Sequence, residues 1–304
     1  MKSFDVVGFG ALNVDKLFRV NKIAGAEEEG FITDFKEACG GSAANTIVGL
    51  ARLGCKVGFI GKVAKDSEGK MLIEDFRREG VDTDGIIVSD EGRSGKVMGF
   101  VDEKGERALY VDPGVNDTIE FEEINKDYAF NTQFLHLTSF VGEKSFQTQK
   151  KLVSTLPEKV KVSLDPGELY ARKGFDALET IIRRTFVLMP NPNEIKLLTG
   201  TFNYREGAKI LLDKGVKIVA VKLGSRGCYV TDGRENHLIN AFKVKVVDTT
   251  GAGDAFCAGF LYGLIKGKSL YACGRLGNFV ASRCIMKMGA RPGLPRLKDL
   301  EFLG

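Results

Sequence analysis

The chain has 304 residues, 43% hydrophobic and 28% charged, a composition that excludes a disordered or membrane-embedded protein and leaves room for a sizeable core. Its net charge of +4 comes from 44 basic residues scattered among 40 acidic ones, so no basic face marks a nucleic-acid partner. Six cysteines (39, 55, 228, 257, 273 and 284) without a Cys-x-x-Cys pair, and only His136 and His237 as imidazoles, argue against structural zinc and a Cys–His nucleophile. The longest apolar run, Ala255 to Ile265, stops at Lys266, short of a membrane span, and no leader pattern opens the sequence. A reduced cytoplasmic protein with small core cysteines is the expectation.

Asp5 to Leu12 reads as a buried strand ending in Gly-x-Gly, but Asn13 stands where a dinucleotide fingerprint needs its third glycine, and Val14 to Val20 looks extended rather than helical. Residues 16–37 are strand-like, with an acidic turn at Glu27–Gly30. The small-residue loop Gly40-Gly-Ser-Ala-Ala-Asn45 then opens a helix that Gly54 closes. Val57 to Gly61 is a strand and Ser67 to Gly80 an amphipathic helix. Residues 95–101 and 106–111 alternate around Asp102-Glu-Lys-Gly105, a hairpin signal.

From residue 116 strands and helices take turns. Strands are expected at 134–138, 160–164, 186–189 and 218–222, with helices at 145–156, 174–184 and 195–198. Such alternation predicts a doubly wound, mainly parallel α/β sheet with helices on both faces and ligands off the carboxyl ends of its strands. Asp15, Gly40, Asp165, Asn191 and Asp254 all come shortly after strand-like runs. His136, alternating with apolar neighbours, reads as a core histidine. Glu194, early in a helix, reads equally as a cap, and Gly224 to Gly227 equally as a turn between two strands.

The stretch that carries most chemistry is Asp248-Thr-Thr-Gly-Ala-Gly-Asp-Ala-Phe256. Gly251, Ala252 and Gly253 ahead of a helix leave its free N–H groups open to an anion, and the helix dipole adds positive charge there. Asp254 places a carboxylate in the same first turn. An anion hole beside a fixed carboxylate suits phosphoryl transfer to a hydroxyl.

This string resembles the C-terminal signature of the ribokinase-like (PfkB) family of sugar and nucleoside kinases, and Gly40-Gly-Ser-Ala-Ala-Asn45 resembles its N-terminal one. The resemblance runs over about residues 1–296. It implies Asp254 as catalytic base and Gly251, Ala252 and Gly253 as anion hole. Asn13, Asp15, Gly40, Gly41 and Asn45 fall on acceptor-binding positions, and Asn191, Lys222, Gly224, Gly227 and Asn278 on nucleotide-binding ones. It further implies ATP as donor, Mg²⁺ organised through water by Glu194, and a monovalent cation such as K⁺ near Asp248 and Thr250. The whole chain would be one kinase domain with a discontinuous β lid from about 14–38 and 95–112, able to form a homodimer through that lid. Ribokinases proper carry Lys where this chain has Ser42, which sets ribose apart as acceptor. The expected reaction is transfer from MgATP to a hydroxyl of a small sugar or related polyol, with no membrane or nucleic-acid partner. The alternatives are a nucleoside kinase with an aromatic pocket from Phe18, Phe100 or Tyr110, and a catalytically silent ligand-binding protein on the same fold.

Overall fold

The computed structural model describes residues 3–303. Its first half runs β1 (Phe4–Phe9), β2 (Asn13–Val20), β3 (Ile32–Gly40), α1 (Ser42–Arg52), β4 (Val57–Ala64), α2 (Ser67–Arg78), β5 (Ile86–Ser89), β6 (Gly95–Val101) and β7 (Arg107–Asp112). There follow α3 (Lys126–Phe130), β8 (Thr132–Leu137), α4 (Glu143–Thr155), β9 (Lys161–Leu164), α5 (Gly167–Arg184) and β10 (Thr185–Leu188). The chain closes with α6 (Pro192–Thr199), α7 (Tyr204–Asp213), β11 (Ile218–Lys222), β12 (Cys228–Thr231), β13 (Asn236–Ile239), α8 (Ala252–Ile265) and α9 (Leu270–Cys284).

Nine strands form one sheet in the order β13-β12-β11-β10-β9-β8-β1-β4-β5, parallel throughout except for β12 and β13 at one edge. Alternation along each strand divides the core between its two faces: Val6, Phe59, Val187 and Ala220 pack on the side of α1, α8 and α9, whereas Val7, Ile60, Leu188 and Val221 pack on the side of α4 to α7. Neighbouring strands reach β1 from both sides, and this switch in winding opens a crevice at the carboxyl ends.

The other four strands form a separate sheet, β3-β2-β6-β7, whose middle pair is parallel. Asn116 ties its root to the main sheet: its side chain donates to the Leu12 carbonyl (2.9 Å) and to Asn13 Oδ1 (3.0 Å), and accepts from the Leu12 amide (2.9 Å). Glu68 of α2 adds ion pairs to Lys16 (3.0 Å) and Lys96 (2.7 Å) on the two middle strands.

The helix expected at 174–184 begins at Gly167 instead. Gly174 interrupts it with φ 78°, so two helical pieces meet at the residue where the sequence pattern starts. His136 is fully buried, bonded through Nδ1 to Ser163 Oγ (3.0 Å), and desolvation lowers its pKa to about 4, as suits a neutral core histidine. Five of the six cysteines are buried, and Cys39 is half-buried. Among the described residues no helix is long and apolar enough to cross a membrane.

Candidate active site

Three cavities that share lining residues follow one another along the crevice. One of about 190 Å³ lies under the small sheet, bounded by Asn13, Gly41, Ser42, Val97, Val111 and Asn116 among others. The next, of about 380 Å³, is bounded by Ser42, Asp165, Glu194, Lys222, Gly253 and Asp254. The third, of about 480 Å³, has an apolar wall of Phe242, Val246, Phe256 and Ile285, with Asn278 beside it. Ser42 borders the first two, while Lys222, Gly224 and Gly253 border the last two.

The middle cleft is organised by the start of α8. Gly251 caps that helix with φ 75°, and a side chain there would come within 2.6 Å of Ala290 Cβ, so only glycine fits. The N–H groups of Gly253 and Asp254, in the first turn, lie too early for intrahelical acceptors. The Ala252 N–H is different: it donates to the Thr249 carbonyl at 3.2 Å, so of the expected donors it is already engaged. Asp254 accepts a hydrogen bond at Oδ2 from Asn45 Nδ2 (2.9 Å). Desolvation raises its pKa to about 7, against the opposing pull of Asn45, Lys222 and Arg291 and reinforced by the negative charge of Asp165.

Opposite α8, Lys222 pairs with Asp165 Oδ2 at 2.5 Å. Burial alone would lower the lysine's pKa, but that carboxylate holds it above its ordinary value. Asp165 Oδ1 is buried with no partner among the described residues. Glu194 forms a reciprocal cap with Asn191: its backbone N–H donates to Asn191 Oδ1 (2.9 Å), while its own oxygens accept from the Asn191 amide (2.8 Å) and Nδ2 (2.7 Å). The cap reading and the cleft position therefore coexist in Glu194, whose pKa burial lifts to about 7.

Gly224 has φ 61° and nothing within 4 Å of a would-be Cβ, which keeps the turn between β11 and β12 open to both cavities. Gly227, at φ 92°, is required by the turn itself, since a Cβ would meet the Ile239 carbonyl at 1.9 Å. Asn278 donates to the carbonyls of Ile239 (3.0 Å) and Asn240 (3.2 Å), so its amide braces the cavity wall. Asp248 spends Oδ1 on Thr250 (N–H 3.0 Å, Oγ1 2.7 Å) and Oδ2 on the Gly289 N–H (2.7 Å), closing that loop.

At the small sheet, Asp15 lies against Gly40, where a Cβ would fall 2.2 Å from its Oδ2. Gly41 has φ 105° and a Cβ there would strike the Ala11 carbonyl. Burial lifts the Asp15 pKa to about 6. In register, Asp15 sits beside Val97, and Val97 beside Val111, so all three share the face toward the cleft. Phe18, Phe100 and Tyr110 belong to the other face: Phe18 stacks on Phe35 (5.0 Å between centroids) and Phe100 (5.1 Å), and Phe100 meets Tyr110 edge-on (6.1 Å). The aromatic base pocket considered from sequence is thus turned outward, by the parity of these positions on their strands. Two cleft features escaped the expected site: the Lys222–Asp165 pair, signalled only by Asp165 ending a strand before Pro-Gly, and Arg291, whose Nε donates to Asn45 Oδ1 at 2.8 Å.

In the crevice of this doubly wound sheet a desolvated carboxylate stands against an open helix terminus, with an apolar cavity behind, and the family and kinase relatives that the chain matches make it a phosphotransferase that acts on an alcohol. The fold is ribokinase-like. The chain belongs to the pfkB family of carbohydrate kinases, whose profile matches residues 3–297. An uncharacterized sugar kinase of Archaeoglobus fulgidus is 51% identical over 255 residues, covering 83% of this chain and all of that protein (100%). The ATP-dependent ribose-1-phosphate kinase of Halopiger xanaduensis is 34% identical, covering 84% of this chain and 83% of its own length. Among solved structures, the ribokinase of Arabidopsis thaliana complexed with ribose and ATP superposes with a TM-score of 0.87 at 25% identity, over 99% of each chain.

Proposed function

We propose that the protein transfers the γ-phosphoryl group of MgATP to a hydroxyl of a small sugar or sugar derivative, with Asp254 as general base. The observation that carries this reading is the position of Asp254, between the cavity under the small sheet and the apolar cavity behind Lys222. The acceptor hydroxyl gives its proton to the Asp254 carboxylate as its oxygen forms the bond to γ-phosphorus, and the bond to the β-phosphate oxygen breaks to release ADP. The amides of Gly251 and Gly253 hold the charge spread over the moving group, with Ala252 joining them once its bond to Thr249 opens. Lys222, Gly224 and Gly227 face the phosphates, and Asn191 and Asn278 shape the nucleotide side. Asn13, Asp15, Gly40, Gly41 and Asn45 hold the acceptor, while the small sheet acts as a lid that keeps competing water out.

The donor set suits magnesium: Asp165 Oδ1 is a buried carboxylate oxygen without a partner among the described residues, and Glu194 stands across the same cleft. Bound there, Mg²⁺ would neutralise charge on the phosphate oxygens. A monovalent cation such as K⁺ at Asp248 and Thr250 would have to share oxygens that already close the loop by hydrogen bonding. The exposed Phe31, Ile32, Phe35 and Tyr110 give the lid an apolar area through which two copies can associate as a homodimer. A sugar is favoured over a nucleoside because the lid offers Val97 and Val111 to the cleft rather than a flat aromatic slot.

The test is release of ADP from MgATP against a panel of aldoses, ketoses, sugar acids, sugar phosphates (ribose 1-phosphate included) and nucleosides. Turnover with a sugar-class acceptor is expected; turnover with nucleosides alone would replace the acceptor, and no nucleotide binding at all would end the kinase reading. Two further results should accompany it. With Asp254 needed as the anion and its pKa near 7, kcat/KM should fall as pH drops through about 7, roughly tenfold per unit below it, and a profile flat from pH 8 to 5 would exclude Asp254 as base. Asp15→Ala should raise the acceptor KM about 10- to 100-fold, the worth of hydrogen bonds to a charged group, and leave the KM for ATP within a factor of two. Equal rises in both would rule out an acceptor contact.

A further inference from the structure

Arg291 lies in the loop that follows α9 and is only 8% exposed. Its Nη1 pairs with the carboxylate of Asp75 on α2, its guanidinium sits 5.8 Å from the Phe76 ring centroid, and its carbonyl accepts from Arg52 Nη1 at 2.6 Å. Held on three sides in this way, it directs Nε at Asn45 Oδ1 (2.8 Å), and Asn45 in turn directs Nδ2 at Asp254 Oδ2 (2.9 Å). Four separate parts of the fold thus form one chain of bonds, Asp75–Arg291–Asn45–Asp254.

The polarity of that chain is fixed by elementary chemistry. A guanidinium has only donors, an ionised carboxylate only acceptors, and an amide one end of each kind. Turning the Asn45 amide over would set its NH₂ against the guanidinium and its oxygen against the carboxylate, which leaves two clashes of like polarity in a buried place. We propose that Arg291 is a positioning residue for phosphoryl transfer: it locks the Asn45 amide as a donor to one oxygen of Asp254, so that the other oxygen is left for the acceptor hydroxyl. This rests on the kinase reading above. It also gives Asn45 a task besides holding the acceptor.

The lock has an electrostatic consequence. The groups that face Asp254 are Asn45 on α1, Asp165 after β9, Lys222 at the end of β11, Arg291, and the thiols Cys257 on α8 and Cys284 on α9. Arg291 and Asn45 favour the ionised carboxylate, while burial and Asp165 oppose it. Removing Arg291 takes away a cation and frees Asn45 to turn, so both changes push Asp254 toward its protonated form.

The experiment compares Arg291→Met, Arg291→Lys and Asp75→Asn with the unmodified full-length enzyme. Arg291→Met should lower kcat roughly 10- to 100-fold at pH 7, the cost of a mispositioned group, with the KM for ATP within a factor of two. The acid limb of its kcat/KM profile should move up by about one pH unit, so the deficit shrinks toward pH 9. Lysine, with one nitrogen in place of a fork, should restore part of the charge effect but little of kcat. Asp75→Asn keeps the charge of the guanidinium but removes the carboxylate that holds it, so that Asn45 is partly freed and the same changes should appear on a smaller scale, which covers the case where Arg291→Met fails to fold.

A second readout needs no substrate. In protein labelled with ¹³C at aspartate carboxyls, the signal lost in Asp254→Asn reports that carboxylate, and its titration midpoint should rise in Arg291→Met. A kcat reduced equally at every pH, with limb and midpoint unmoved, would overturn the lock and leave Arg291 a structural residue. Should the unmodified enzyme turn over no acceptor, the kinase reading fails, yet the carbon titration still decides whether Arg291 governs Asp254.

Discussion

Asp254→Asn should cost about 10²–10⁴ in kcat, the usual contribution of a general base, while the protein becomes more resistant to unfolding above pH 7. The first effect follows from replacing a proton acceptor with an amide of the same shape. The second follows from linkage. Folding raises the pKa of Asp254 from 3.8 to about 7, so between those values the folded state binds more protons than the unfolded one and stability falls as pH rises. A neutral amide removes that penalty, on the order of 1 kcal/mol or more at pH 8. Steady-state kinetics check the loss, and calorimetry at pH 8 and pH 4 checks the gain, which should be present at pH 8 and mostly gone at pH 4. Near-normal turnover in this variant would take the base away from Asp254.

Gly253→Leu should fold normally and lose MgATP turnover by about 10²–10³ or more, the scale of a removed anion-hole donor. Its backbone is not left-handed, and a Cβ there meets nothing closer than Lys222 Nζ at 3.5 Å, so the first carbon is tolerated. The remaining carbons have only the space that the transfer cleft shares with the apolar cavity, where the nucleotide phosphates are proposed to lie. Melting temperature should therefore stay within a few degrees while nucleotide affinity, measured by calorimetric titration, collapses. Gly251 is the contrast: its positive φ and the 2.6 Å approach to Ala290 make even alanine a folding problem. Full activity in Gly253→Leu would remove the helix terminus from the site.

Much of this arrangement was legible in the sequence because it is local. A strand that ends in small residues and runs into a helix announces both the crevice and its anion-facing amides at residues 40–45, whereas at 248–256 the strand-like run expected before Asp254 is irregular chain and the small residues ahead of α8 alone carry the signal. The parallel order of the sheet followed from the alternation of strand and helix after residue 116. What pairs across the fold was not legible. Lys222 and Asp165 are 57 positions apart, and Arg291 lies 246 positions from Asn45, so no spacing rule joins them. The orientation of Phe18 was available in principle: it stands three positions from Asp15 on one strand, an odd step, which puts the two on opposite faces. Glu194 shows a different limit, because one carboxylate can cap a helix and border a cleft, and the sequence pattern is the same for either.

The parallel pairing of β2 with β6 at the centre of the small sheet has a consequence for how the chain assembles and how it can be edited. The two strands are separated by residues 21–94, which include α1, β4 and α2 of the main body. The middle of the lid cannot zip up as a local hairpin. It closes only after that intervening chain is brought round, a step of high contact order whose entropy grows with the logarithm of the loop. The β2–β3 and β6–β7 ribbons can form early, but each alone is a two-stranded ribbon of marginal stability. On the proposed function, acceptor preference resides in two sequence-distant ribbons that mature together, and a graft meant to exchange it must carry 13–40 and 95–112 at once.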